Sequence, residues 1–147
     1  MTPALRNVSV GEGVDVREWP YEALVAVIER GLLADWRPIL RSLREEPWGS
    51  VARRVEHYLT YTDEDSIRAL FGLVLTRARS DRERVERDAV AARVRAAVAS
   101  SGLTQFELAS RIGTSASRLS TYATGKVVPS ATMLLRIERA SERPRRT

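Results

Sequence analysis

Apolar residues recur along this chain at intervals of three and four, and proline and glycine interrupt them where helices would begin and end. That period buries one face of a helix, so the pattern predicts an all-α protein without strands. Leu24, Val25, Val27 and Ile28 form the apolar side of a first helix, which Pro20 opens and Gly31 ends. A second helix runs over about residues 35–45. Trp36, Ile39, Leu40 and Leu43 are its packing face, Pro38 is tolerated in its first turn, and Pro47 stops it. A third begins near Ser50 with Val51, Val55, Tyr58 and Leu59 at helical spacing. Asp63 or Asp65 caps a fourth, which carries Ile67, Leu70, Phe71, Val74 and Leu75. Residues 1–17 have no clear period and contain Gly11 and Gly13, so a loose arm is expected there. The tail after Arg139 is short and basic and is expected to fray.

At Ser80 the character changes. The stretch SDRERVERD is almost wholly charged, and Ala89, Val90, Val94, Ala97 and Val98 follow it. One helix over 81–100 accounts for both parts. Its first half is a solvated, rigid connector, and its second half is the first helix of another bundle. The pattern leaves open whether this helix fuses with the fourth. The resulting division is a helical module of about four helices over residues 1–80, for dimerisation or partner binding, and a second domain over 81–147.

That second domain holds the most specific signal in the chain, LTQFELASRIGTSASRLSTYATGKVVPSATMLLRI over 103–137. Thr104 and Glu107 have the T-x-x-E spacing of a capping box and start a helix at Gln105. Phe106, Leu108, Ala109 and Ile112 give it an apolar face, and Ala109 is small enough for a close helix crossing. Gly113 sits just past its end, where a left-handed backbone costs glycine least. Ser115 is the N-cap of the next helix. Leu119 and Tyr122 are its buried side, and Ser117, Ser120, Thr121 and Thr124 face outward with Arg118 at the edge. Gly125 ends it, and Pro129 and Ser130 open a last helix whose Leu134 and Ile137 return to the core. This is the order of a helix-turn-helix, which presents a short helix to the major groove of DNA. A helical hairpin with no DNA role would use Ala109, Gly113 and Leu119 equally well. The outward face separates the two readings, because small hydroxylated residues let a helix approach base edges and bond to bases and phosphates.

Over about residues 90–140 the chain resembles the phage-repressor class of helix-turn-helix domains, the Cro/cI-like or XRE family. The matching residues are Leu103-Thr104-Gln105, Leu108-Ala109, Ile112-Gly113-Thr114-Ser115, Leu119, Gly125-Lys126 and Pro129-Ser130. The resemblance implies that Gln105 contacts phosphate and braces the recognition helix. It places Ser115, Ala116, Ser117 and Thr121 at base-facing positions and Thr124 and Lys126 at the DNA backbone. Ala116 offers only a methyl contact, and Arg118 reaches a phosphate or a guanine. Ala and Ser stand where Gln or Arg often appear in that family, so two half-sites read by a homodimer are expected to supply specificity. The segment from Trp19 to Arg79 is similar to extensions on some bacterial members.

Charge supports this division of labour. Residues 1–80 carry 11 Arg against 12 Asp and Glu, and residues 81–147 carry 13 Lys and Arg against 7 Asp and Glu. The net +6 thus coincides with the motif, as attraction to phosphate requires. Lys126 is the only lysine, and the abundance of Arg, Ala and Val suggests a high-GC bacterial genome. There is no apolar run long enough to span a membrane and no signal-peptide pattern at the start. Zero cysteine removes thiolate zinc sites and cysteine catalysis and fits a reducing compartment, so a cytoplasmic, nucleoid-associated protein is expected.

No catalytic constellation stands out. His57 is the only histidine and lacks a partner for a metal site. Glu45, Glu46, Asp63, Glu64 and Asp65 sit at helix ends, where acidic residues cap or solvate turns. Phosphate-loop, dinucleotide and nucleophile-elbow motifs are absent. Neither catalysis, nor a cofactor, nor a metal is expected. Trp19, Trp36 and Trp48 all lie in the first half, as core or as a partner-binding surface. The expected function is sequence-specific binding of double-stranded DNA as a repressor-like regulator. The alternative is the antitoxin of a toxin–antitoxin pair, whose first module binds the toxin while the second autoregulates the operon.

Overall fold

The computed structural model describes residues 13–142. It holds a 3-10 turn, Val16–Glu18, followed by helices α1 (Tyr21–Arg30), α2 (Leu33–Glu45), α3 (Ser50–Tyr61), α4 (Asp65–Ser101), α5 (Gln105–Ile112), α6 (Ala116–Thr124) and α7 (Ala131–Ser141). No strand occurs among the described residues. The fold is therefore all-α. The chain divides into two compact units, Met1–Arg82 and Glu83–Thr147.

In the first unit, α1, α2, α3 and the start of α4 close around Leu24, Ile28, Ile39, Leu43, Val51, Val55 and Phe71. Trp36 stands edge-on to Phe71 with ring centroids 5.3 Å apart, and its indole Nε1 donates to the Val27 carbonyl at 2.9 Å. Trp19 is buried and donates to the Val14 carbonyl at 3.1 Å. Arginines tie the loops to this core. Arg54 donates to the Trp19 carbonyl at 2.6 Å, Arg79 to Pro47 at 2.9 Å and Arg82 to Glu45 at 2.7 Å. Arg79 also pairs with Glu56 and lies 6.0 Å from the centroid of the half-exposed Trp48 ring. The Tyr58 hydroxyl donates to Glu29 at 2.9 Å, and burial together with that carboxylate raises its pKa.

Several boundaries differ from the sequence reading. The arm expected over 1–17 lies outside the described residues as far as residue 12. Its remainder is not loose, because Asp15 accepts the Arg17 amide at 2.9 Å and buried Val16 anchors the 3-10 turn. The expected fraying after Arg139 lies partly outside as well, from residue 143; the helix itself continues to Ser141. The second helix starts two residues early, at Leu33, where the Asp35 carboxylate accepts the Leu32 amide at 2.8 Å. Pro38 consequently lies in the second turn rather than the first. Leu70 is not core but 39% exposed, since α4 turns Ile67, Phe71, Val74 and Leu75 inward and leaves Leu70 at the edge.

The fourth helix and the expected helix over 81–100 are one element of 37 residues. Nothing between Leu73 and Ser101 breaks it, and Arg and Glu or Asp alternate at three- and four-residue spacing through the exposed stretch 80–89. In the second unit the end of α4 packs with α5, α6 and α7 around Val94, Leu108, Ala109, Leu119 and Ile137.

Candidate nucleic-acid interface

The helix-turn-helix is built from its ends inward. At the start of α5, Thr104 Oγ1 accepts the Glu107 amide at 3.1 Å and Glu107 Oε2 accepts the Thr104 amide at 3.0 Å, which closes the capping box in both directions. Gly113 ends the helix at φ +79°, and the amides of Gly113 and Thr114 both return to the Ala109 carbonyl. Ser115 then caps α6, its Oγ accepting the Arg118 amide at 3.1 Å. Gly125, also at φ +79°, closes α6, and the Val127 amide reaches back to the Thr121 carbonyl at 3.2 Å. Ser130 repeats the arrangement at α7, accepting the Met133 amide at 3.1 Å.

α4 holds α6 from behind. Arg95 Nη1 donates to the Ala123 carbonyl at 2.7 Å near the end of α6. One turn earlier, Ala91 is buried, and a Cβ added at Gly125 would lie 3.4 Å from its Cβ. Arg93 Nη2 lies 2.5 Å from Glu138 Oε1 on α7, an oxygen otherwise closed off from solvent. These three α4 residues were not singled out from the sequence. No local signal exposes them, because their partners lie 28 or more residues away.

Leu119, Tyr122 and Ala123 bury one side of α6. Ser117, Thr121 and Thr124, spaced by four and three, fall on the opposite side. Ser117 and Thr124 are exposed, and Thr121 is half-buried at its rim. Arg118 is exposed at the edge, while Ala116 and Ser120 are half-buried. The hydroxyls are not equivalent. Thr121 Oγ1 donates to the Arg118 carbonyl at 2.6 Å and Thr124 Oγ1 to the Thr121 carbonyl at 3.3 Å. Each hydroxyl thus spends its proton inside the helix and keeps its lone pairs for another donor. Ser117 has no hydrogen bond among the described residues and keeps both donor and acceptor free. Ser115 is exposed, and its Oγ is engaged in capping α6. Gln105 and Lys126 are exposed before and after this face, and neither has a partner among the described residues.

Phe106 requires a correction. Expected on the apolar side of α5, it is 71% exposed. Leu108, Ala109 and Ile112 define the buried side, and Phe106 shares the exposed side with Gln105 and Ser110. Elsewhere, His57 lies between the edges of Tyr21 and Tyr61 with ring centroids 5.7 and 5.0 Å away. No cluster of three metal-ligating side chains occurs among the described residues, and no helix there is long and apolar enough to cross a membrane.

A fold of this kind, with a short capped helix held outward at the end of a glycine turn, defines a class of protein that binds DNA. A family model described as a helix-turn-helix domain matches residues 70–146, just over half of the chain. The chain belongs to this helix-turn-helix family, consistent with the Cro/cI-like resemblance of its motif. No curated protein and no solved structure matches it.

Proposed function

We propose that this protein is a sequence-specific transcription regulator, repressor-like, that lays α6 in the major groove and works as a homodimer in the nucleoid. The observation that carries the reading is the outward face of α6: Ser117, Thr121 and Thr124 with no bulky side chain among them, flanked by exposed Gln105 and Lys126. Short side chains allow close approach to base edges. The acceptors on Thr121 and Thr124 suit the exocyclic amino groups of adenine and cytosine, and Ser117 suits either kind of partner. Ala116 and Arg118 complete the face, with Arg118 directed to phosphate or guanine. Gln105 and Lys126 grip the backbone on either side, and Ser115 positions the helix that reads.

Contacts this modest on one half-site favour a dimer, since two half-sites together read more sequence. The first unit is the proposed dimerising element. The antitoxin reading shares the DNA-binding half and assigns the first unit to a toxin instead. Mapping where the protein sits on the genome tests the regulator reading. Discrete occupancy at promoters sharing one two-fold-symmetric motif is the expected result. Even occupancy of all DNA would contradict it. Light scattering of the free and DNA-bound protein checks assembly, and a monomer in both states rules the dimer out.

A further inference from the structure

Five arginines of the first unit serve its own structure: Arg17, Arg54, Arg68, Arg79 and Arg82 hold carbonyls or carboxylates of neighbouring segments. Three on α2 do not. Arg37, Arg41 and Arg44 are exposed and form no ion pair or hydrogen bond among the described residues. Their spacing of four and three places them on one face of the helix. They line a shallow groove with Leu33, Leu40 and, at its far end, Glu45. Leu33 is 70% exposed and its neighbour Leu32 is 76% exposed, so the same face carries both unpaired cations and uncovered apolar surface.

From this juxtaposition we propose that the α2 face is a docking surface for an acidic amphipathic helix of another protein, with carboxylates opposite Arg37, Arg41 and Arg44 and apolar residues on Leu33 and Leu40. The inference goes beyond the DNA-binding reading and does not depend on it. Charge complementarity selects the occupant. Arginine is suited to such an interface, since its guanidinium pairs with carboxylates in two-pronged geometry while its stem covers apolar surface. The two densest acidic stretches of a second copy are a poor fit. Asp63, Glu64 and Asp65 are consecutive and share no helical face, and every carboxylate of 81–88 has an arginine within four residues. Duplex DNA uses the arginines but has no apolar partner for Leu32, Leu33 and Leu40.

The test uses the full-length protein and a labelled synthetic helical peptide with Glu at positions i, i+4 and i+7 and Leu between them, followed by fluorescence anisotropy. The peptide should bind the wild type at least about tenfold more tightly than the Arg37→Glu, Arg41→Glu, Arg44→Glu variant. Exchanging its Glu for Lys should reverse that preference. Exchanging its Leu for Gln should weaken binding to the wild type; this arm leaves the protein unaltered and stands even if the triple variant folds poorly. Equal binding to both proteins, or no effect of the Leu exchange, overturns the proposal. So does a variant that binds the peptide normally but loses duplex DNA affinity or changes its oligomeric state, because the face would then serve phosphate or a second copy.

Discussion

Gly113 has φ +79° and nothing within 4 Å of the place a Cβ would occupy. Space does not require glycine there; backbone conformation does. Gly113→Ala should therefore destabilise the second unit by about 1–2 kcal/mol, the cost of a left-handed L-residue, in urea titrations followed by circular dichroism. An unchanged midpoint would mean that the turn relaxes out of this conformation. Thr121 and Lys126 divide another pair of effects. If Thr121 reads a base, Thr121→Ala should cost on the order of 1–3 kcal/mol on the cognate duplex and little on a scrambled one. Lys126→Ala should weaken both alike and reduce the slope of log K against log salt by about 0.9, one phosphate's worth. A salt titration of both variants on both duplexes separates the two. At this scale the caps and turn glycines were legible, because Thr104, Glu107, Gly113, Ser115, Gly125 and Ser130 act on neighbours a few residues away. The hydrogen bonds of Thr121 and Thr124 inside α6 were not distinguished, since residue type alone leaves a hydroxyl's partner open. Phe106 was misplaced because an apolar residue next to an apolar stripe was assigned to it, although its position relative to Leu108 and Ile112 turns it away.

Among elements, α4 is where local reading had least to work with. A charged stretch with neither glycine nor proline continues a helix as readily as it links two, so the pattern leaves fusion open and the fold makes one helix of both parts. The reverse applies to α2. Pro38 was assigned to a first turn, but Asp35 caps from inside the helix and moves the start back to Leu33. Long-range pairings such as Arg95 with Ala123 or Arg79 with Glu56 join segments that only the folded core brings together. The second of these has a consequence for pH. The Arg79 guanidinium beside Glu56 lowers the carboxyl's pKa in the folded protein. A depressed acid contributes stability above its unfolded pKa and loses it as pH falls through the folded value. Asp15, held at about 2 by its hydrogen bonds to Arg17, acts in the same direction. Glu56→Gln should therefore show a shallower loss of stability than the wild type below about pH 5, where unfolded carboxylates begin to protonate. Parallel denaturant titrations from neutral to acid pH check this, and identical slopes would remove the pair from the account of acid unfolding.

For the whole molecule, the charge balance and the motif point to the same half. The net +6 of residues 81–147 accompanies α5 and α6, while residues 1–80 are nearly neutral. The helix-turn-helix half was legible because its punctuation is dense and ordered. The first unit gave up its helices and core but not its role, since amphipathic period reports burial and says nothing of what an exposed face meets. The central claim is that α6 reads sequence. Selection from a random duplex library, run with the wild type and with the Ser117→Ala, Thr121→Ala double variant, tests it most directly. The account predicts a two-fold-symmetric motif for the wild type, with half-sites about one helical turn or a multiple of it apart. It further predicts loss or change of particular base positions for the variant, with binding to unselected DNA retained. The same motif enriched by both proteins, or none enriched by the wild type, would contradict it.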